Sequence, residues 1–322
     1  MPRSASQLSG LLAAIGAGLL WGLVFITPVL LPDYSGVILS FGRYLAFGLI
    51  AILPAAFDFR RLRRLRRADW YCALRLSLVG NMIYYAALAS AIQLIGAPIP
   101  TMLIGTLPVV IAISANLLGA DHGQPTPWKQ LAWPLSLIFC GLMLVNVAEF
   151  AHPSAPHSYA DYWQGTALAL LAVAAWTWYP LMNSRHLKAN TALASSTWAT
   201  AQGLCTLPLA LLGFAIYGLI LKQAGTLPAN FPLGDQGVQF ISLMLVLGFF
   251  ASWLGTLLWN HASHTLPASL SGQLIVFETL AALSYTFILR QTLPPPPICA
   301  GVLLLCVGVA LALRRVQASA PH

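Results

Sequence analysis

Apolar stretches follow one another along almost the whole chain, at residues 8–31, 35–57, 69–95, 97–119, 128–147, 162–183, 191–221, 238–263, 267–289 and 298–313. A helix needs ~20 mostly apolar residues to cross the hydrocarbon core of a bilayer. The pattern therefore predicts an all-α integral membrane protein with ten transmembrane helices. Segments three, seven and eight are long, which implies tilt or an interfacial extension. The third and fourth are divided at Ile95-Gly96-Ala97-Pro98, where glycine and proline interrupt a helix. The first segment is too long for the apolar part of a secretory signal and has no small-residue cleavage site before the next segment, so it reads as a span.

The first five segments resemble the last five. Leu20-Trp21-Gly22 aligns with Ala175-Trp176-Thr177 at an offset of 155. Leu39, Tyr44 and Pro54 align with Leu193, Trp198 and Pro208 at 154, and Ala91 and Ala97 with Ala262 and Ala268 at 171. Gly141 and Gly308 are 167 apart. The order and near-constant offset point to duplication, with repeats at 1–150 and 151–322. Five spans per repeat force the second copy into the membrane upside down. Inverted repeats of this kind are an architecture of secondary transporters, with a substrate site between the halves near the midplane.

Charge orients the chain. Ten spans place Arg3, the run Arg60–Arg67, Arg75, Lys129, Arg185, Lys188, Arg314 and Arg315 on one side, thirteen basic residues in all, against Lys222 and Arg290 on the other. The excess of Lys and Arg marks the cytoplasmic side, so both termini are expected there, in a bacterial-type inner membrane. Charged residues are only 7% of the chain against 58% hydrophobic, which leaves no soluble domain to read bases. The net charge of +8 is accordingly assigned to topology and to anionic lipid headgroups rather than to nucleic acid. The five cysteines all lie in predicted spans without metal-ligand spacing, so neither a disulfide framework nor a zinc site is expected. No cofactor is expected, and no phosphate-binding G-x-x-x-x-G-K-[ST] loop is present, so ATP is not the direct energy source.

Trp21 in the first span, Arg43 in the second, Ala-x-x-x openings to spans four and nine, a proline within span four and a glycine-rich last span resemble the drug/metabolite transporter superfamily with two EamA-type repeats. The phrase Phe277-Glu278-Thr279-Leu280-Ala281-Ala282-Leu283-Ser284-Tyr285 resembles its aromatic amino-acid and paraquat exporter branch. The resemblance covers about residues 8–313. It implies export of small organic solutes, amino acids and cationic drugs among them, by alternating access; a homodimer is compatible with it but not required. The chain departs from the pattern at two places. Asp121 and Gln291 stand where glutamates are expected after spans four and nine, so neither is taken as functional.

Candidate chemistry lies at depth in the spans. Glu278 is a carboxylate near the middle of span nine, where an ionised group costs at least ~2.5–3.5 kcal/mol unless it faces protein or water. It is a candidate for binding a substrate amino group or a coupled proton. Arg43 is its candidate charge partner or a carboxylate clamp, against the alternative of snorkelling outward. Trp21, Tyr84, Trp176, Tyr179 and Trp253 lie deeper than an interfacial belt and can hold an organic solute by stacking or cation–π contact. Trp70, Trp128, Trp163 and Trp259 fit the belt. Asn81 and Gln273 flank Tyr84 and Glu278 as further binding candidates. Pro98, Pro108 and Gly272 weaken spans four and nine at equivalent places, where a carrier would bend; static curvature is the alternative.

Two rival readings have their own signatures. A nucleotide-sugar carrier of the same fold would place several basic residues in the cavity, whereas Arg43 stands alone. An intramembrane enzyme would need a nucleophile–base arrangement, and His261, Ser263, His264 and Ser271 lack the Gly-x-Ser-x-Gly context of a hydrolase elbow.

Overall fold

The structure is a computed structural model describing residues 5–95, 98–118, 127–150, 158–291 and 293–318. Among the described residues the regular elements are all helical. Helix α1 spans Ser6–Leu30, α2 Gly36–Phe57 and α3 Arg67–Ile95. Helix α4 is in two pieces, Pro98–Gly105 and Leu107–Leu117, and α5 spans Trp128–Phe150. Then come α6 at Tyr159–Ala189, α7 at Ser195–Gln223 and α8 at Gly237–Thr265. Helix α9 is again in two pieces, Ala268–Leu274 and Val276–Arg290, and α10 is Pro296–Ala318. Seven of these are long and apolar enough to cross a membrane, and shorter apolar helices occupy Leu107–Leu117, Leu131–Leu144 and Pro296–Leu311.

Local chemistry sets the boundaries. Ser35 caps α2 by accepting from the Ile38 amide, and Ser158 caps α6 by accepting from the Asp161 amide. Asp69 accepts from the backbone amide of Arg66 at 2.8 Å and closes the start of α3. Pro54 and Pro208 lie inside α2 and α7 without ending them, as membrane helices tolerate when neighbours compensate the freed backbone. Large apolar side chains such as Leu53, Ile216 and Leu219 point outward, where lipid rather than water would meet them.

Irregular turns recur at matching places. Helix α3 widens to a π-helix over Ser77–Ile83, and α8 does so over Leu247–Leu254, 170–171 residues further along. Helix α4 breaks at Thr106, just before Pro108 at the start of its second piece. Helix α9 breaks at Ile275. Gly272, three residues earlier, is packed tight: a methyl there would fall 2.5 Å from Ile111 of α4. Pro98 is the first residue of α4, and its side chain lies outside the described residues, as does Asp121.

Packing is reciprocal. Helix α1 lies against α8 and α9, while α6 lies against α3 and α4; α2 runs along α7 and α5 along α10. The last pair meets backbone to backbone. A methyl on Gly141 would fall 2.7 Å from the Gly301 carbonyl oxygen, and one on Gly308 would fall 3.0 Å from that of Pro134. Both partners in this double contact are 167 residues apart. Glycine is needed at each because no side chain fits between the helices.

Candidate functional site

The halves meet around a single indole. Trp176 of α6 stacks on Tyr84 of α3 at 4.7 Å and on Tyr179, one turn along, at 5.0 Å. Trp21 of α1 meets it edge-on at 5.2 Å. Such offset and edge-to-face pairs gain from the ring quadrupoles beyond their burial. Tyr179 reaches this position because Gly80 lies opposite it; a methyl on Gly80 would sit 2.2 Å from the tyrosine ring. That glycine falls in the π-helical part of α3, so the wide turn and the missing side chain together seat the tyrosine. Its hydroxyl donates to Gln202 Oε1 at 3.0 Å.

Arg43 is buried at 5% exposure and points inward. Its Nε donates to Ser252 Oγ at 3.0 Å and its Nη2 to the Ala251 carbonyl at 3.3 Å. Its guanidinium lies 5.0 Å from the Tyr44 ring centroid and 5.1 Å from that of Tyr85. These contacts replace water around the cation. The carbonyl it uses lies within the π segment of α8, where the irregular helix frees backbone acceptors.

Glu278 is buried to the same degree. It occupies the first turn of the second piece of α9, so the break at Ile275 gives the carboxylate the positive end of a helix at membrane depth. The ion pairs among the described residues do not include Arg43 with Glu278. Both nevertheless line one small enclosed space of about 10 Å³, with Trp21, Asn81, Tyr84 and Trp176. That volume suits a water molecule rather than an organic solute, so the site is closed. Three of its residues carry buried polar atoms without a hydrogen-bond partner: Asn81 Nδ2, Trp176 Nε1 and Glu278 Oε2. Two donors and one acceptor are thus left unmatched around one space.

Of the sequence candidates, Trp21, Asn81, Tyr84, Trp176, Tyr179, Glu278 and Arg43 come together. Trp253 does not: it donates to Thr200 Oγ1 at 3.3 Å and stacks on Phe249, facing α7. Gln273 is buried in the first piece of α9 but does not line this space. Trp259, read from the sequence as interfacial, is only 2% exposed and lies 5.2 Å from Trp21. Tyr44, Ser252 and Thr256 also line it, as do the apolar Val24 and Ala251. Tyr44 had a signal, adjacency to Arg43, while Ser252 and Thr256 had none beyond being polar within a span. A larger groove of about 790 Å³ lies between α9 and α10, lined mainly by apolar residues such as Leu283, Phe287 and Ile298. It shares no lining residue with the central space.

A bundle of apolar helices with buried polar groups converging between its halves is the framework of a membrane transport protein, and the chain belongs to the EamA-like transporter family, within the drug/metabolite transporter superfamily. The family pattern matches residues 8–147. The chain is 47% identical over 308 residues to the inner membrane protein YtfF of Escherichia coli, covering 96% of each. A solved crystal structure superposes with a TM-score of 0.71 over 99% of this chain and 100% of that one, at 17% sequence identity, which establishes a shared fold.

Proposed function

We propose that the protein is a ten-span secondary carrier of two inverted five-helix repeats, 1–150 and 151–322, which exports amino acids, aromatic ones included, by alternating access through the central site. The observation that carries this reading is the set of unmatched buried groups. Asn81 Nδ2 and Trp176 Nε1 call for an acceptor, and Glu278 Oε2 for a donor. An α-amino acid presents both, a carboxylate beside an ammonium, and burying it there would satisfy all three. The stacked rings of Tyr84, Trp176 and Tyr179 supply flat apolar surface for an aromatic side chain. Reciprocal packing of α1 and α6, the paired π segments and the paired breaks support the inverted repeat. The breaks in α4 and α9 supply places to bend, and both termini are assigned to the cytoplasm from the arginine run.

A nucleotide-sugar cargo is disfavoured because the cation in the site is already bonded to Ser252 and Ala251. The test is uptake into proteoliposomes across a panel of amino acids, their uncharged analogues and cationic drugs, with and without a pH gradient. Saturable uptake of aromatic amino acids, competed by one another, is expected. A protein that moves none of the amino acids would end this reading, and the gradient arm separates facilitated diffusion from proton exchange.

A further inference from the structure

Between the central site and the face that carries the arginine run, three buried polar groups have nothing to bond. They are Ser184 Oγ on α6, and Ser263 Oγ and Trp259 Nε1 on α8, at 3%, 1% and 2% exposure. A serine or threonine in a helix commonly returns its hydroxyl to a carbonyl one turn back. This chain does so elsewhere: Ser271 donates to the Pro267 carbonyl at 3.1 Å, Ser284 to Leu280 at 2.8 Å and Thr265 to His261 at 2.9 Å. Ser184 and Ser263 make no such bond. Beside them Asn183 Nδ2 donates to Asn260 Oδ1 at 2.9 Å, joining α6 to α8, and both asparagines are fully buried.

These groups form a series. Trp259 leans on Trp21, which lines the central space. Asn260 follows it, and Ser263 lies one turn further along α8. On α6, Asn183 lies one turn beyond Tyr179. The α6 end of the series adjoins the arginine run, since Arg66 Nη2 donates to Asn190 Oδ1 at 3.0 Å just past the end of α6. The opposite end of the bundle is built otherwise. There Leu31, Leu39, Leu88, Phe240 and Met244 are buried, Tyr34 stacks on Phe240 at 4.8 Å, and the buried hydroxyls of Thr27 and Ser40 each donate to a backbone carbonyl, of Leu23 and of Met82.

We propose that the seam of Asn183 and Ser184 on α6 with Trp259, Asn260 and Ser263 on α8 is the closed route between the central site and the arginine-bearing face. It takes up water and passes a small zwitterionic solute when α6 and α8 part. This rests on the carrier reading and names the path that reading leaves unassigned. Parting the helices gives the unmatched hydroxyls and the indole their missing partners, while the Asn183–Asn260 bond is exchanged for bonds to water or substrate at little net change. Opening the other end instead exposes largely apolar surface and breaks hydroxyl–carbonyl bonds that are already made.

The test places single cysteines by Ser184→Cys and Ser263→Cys, changes that nearly preserve side-chain size. Each protein, in proteoliposomes, is treated with a small charged thiol reagent that does not cross lipid, and modification of the peptide holding the added cysteine is followed by mass spectrometry. Ala199→Cys, fully buried on α7, is the packed reference. An open state populated at roughly 0.1–10% predicts modification at both seam positions about tenfold or more faster than at the reference. Modification of both at the reference rate overturns the seam. The readout needs no transport, so it stands apart from the carrier reading. Labelling without amino-acid uptake keeps the hydrated route and removes the proposed cargo; uptake without labelling keeps the carrier and removes the route.

Discussion

Tyr84 and Trp176 lie face to face, ring centroids 4.7 Å apart and planes 19° from parallel, one on α3 and the other on α6. Tyr179 stacks on the same indole with planes 2° from parallel, so three rings pack together at the central space. The closed site is thus occupied by its own side chains, and an aromatic substrate would replace ring–ring contacts with contacts of the same kind.

Tyr84→Ala and Trp176→Ala are each expected to weaken transport of aromatic amino acids by roughly two- to twelve-fold, matching about 0.5–1.5 kcal/mol for one aromatic pair. Small aliphatic amino acids should be less affected. Competition assays in proteoliposomes read the difference, and equal loss for both classes would count against stacking as the source of selectivity.

Glu278→Gln keeps the shape and removes the charge. If the carboxylate receives the substrate ammonium, affinity should fall more for amino acids than for analogues lacking the amino group. If it carries a coupled proton, dependence on the pH gradient should vanish while exchange persists. A variant with unchanged affinity, selectivity and pH response would make Glu278 a purely structural residue.

Ser252→Ala removes the acceptor from Arg43 Nε. An unmatched buried donor on a charged group is expected to cost about 1–3 kcal/mol, seen as a lower thermal unfolding midpoint in detergent. Arg43→Lys should destabilise as well, because a single ammonium cannot reproduce the two forked bonds to Ser252 and Ala251 from the place the guanidinium holds beside Tyr44 and Tyr85. Unaltered midpoints in both would show that the guanidinium contacts contribute nothing.

Topology is tested by added cysteines at two exposed positions, Arg64→Cys and Thr226→Cys. In intact cells an impermeant thiol reagent should reach the second and not the first. The reverse pattern would invert the assigned orientation.

Much of the site is legible in the sequence, and what is not has a common origin. Glu278, Arg43, Trp21 and Trp176 stood out because a polar or indole group at bilayer depth needs a partner or a packing reason. Pro108 and Gly272 drew attention to α4 and α9, although the breaks fall at Thr106 and Ile275 and Gly272 serves packing. Trp253 qualifies by its depth in the span, but it sits in the π segment Leu247–Leu254 and faces α7; depth does not give the angular position of a side chain, least of all where the helix departs from a period of 3.6. Nothing in Ser77–Ile83 or Leu247–Leu254 announces a wide turn beyond a single glycine in each. Trp259 was assigned to the interface by its distance from the middle of the span, yet which way a helix faces depends on its neighbours, and those are set by the whole bundle.

The double glycine contact of α5 with α10 has a thermodynamic consequence. Helices in lipid are formed before they associate, since their backbone groups have no other partners; the extra backbone freedom of Gly141 and Gly308 is therefore spent on insertion, not on assembly. When the two helices then close, the glycines at the contact have no rotamers to freeze. At these points association is driven by dispersion between backbones with no side-chain entropy to oppose it, so the seam should loosen less with rising temperature than the long side chains packed around Trp176.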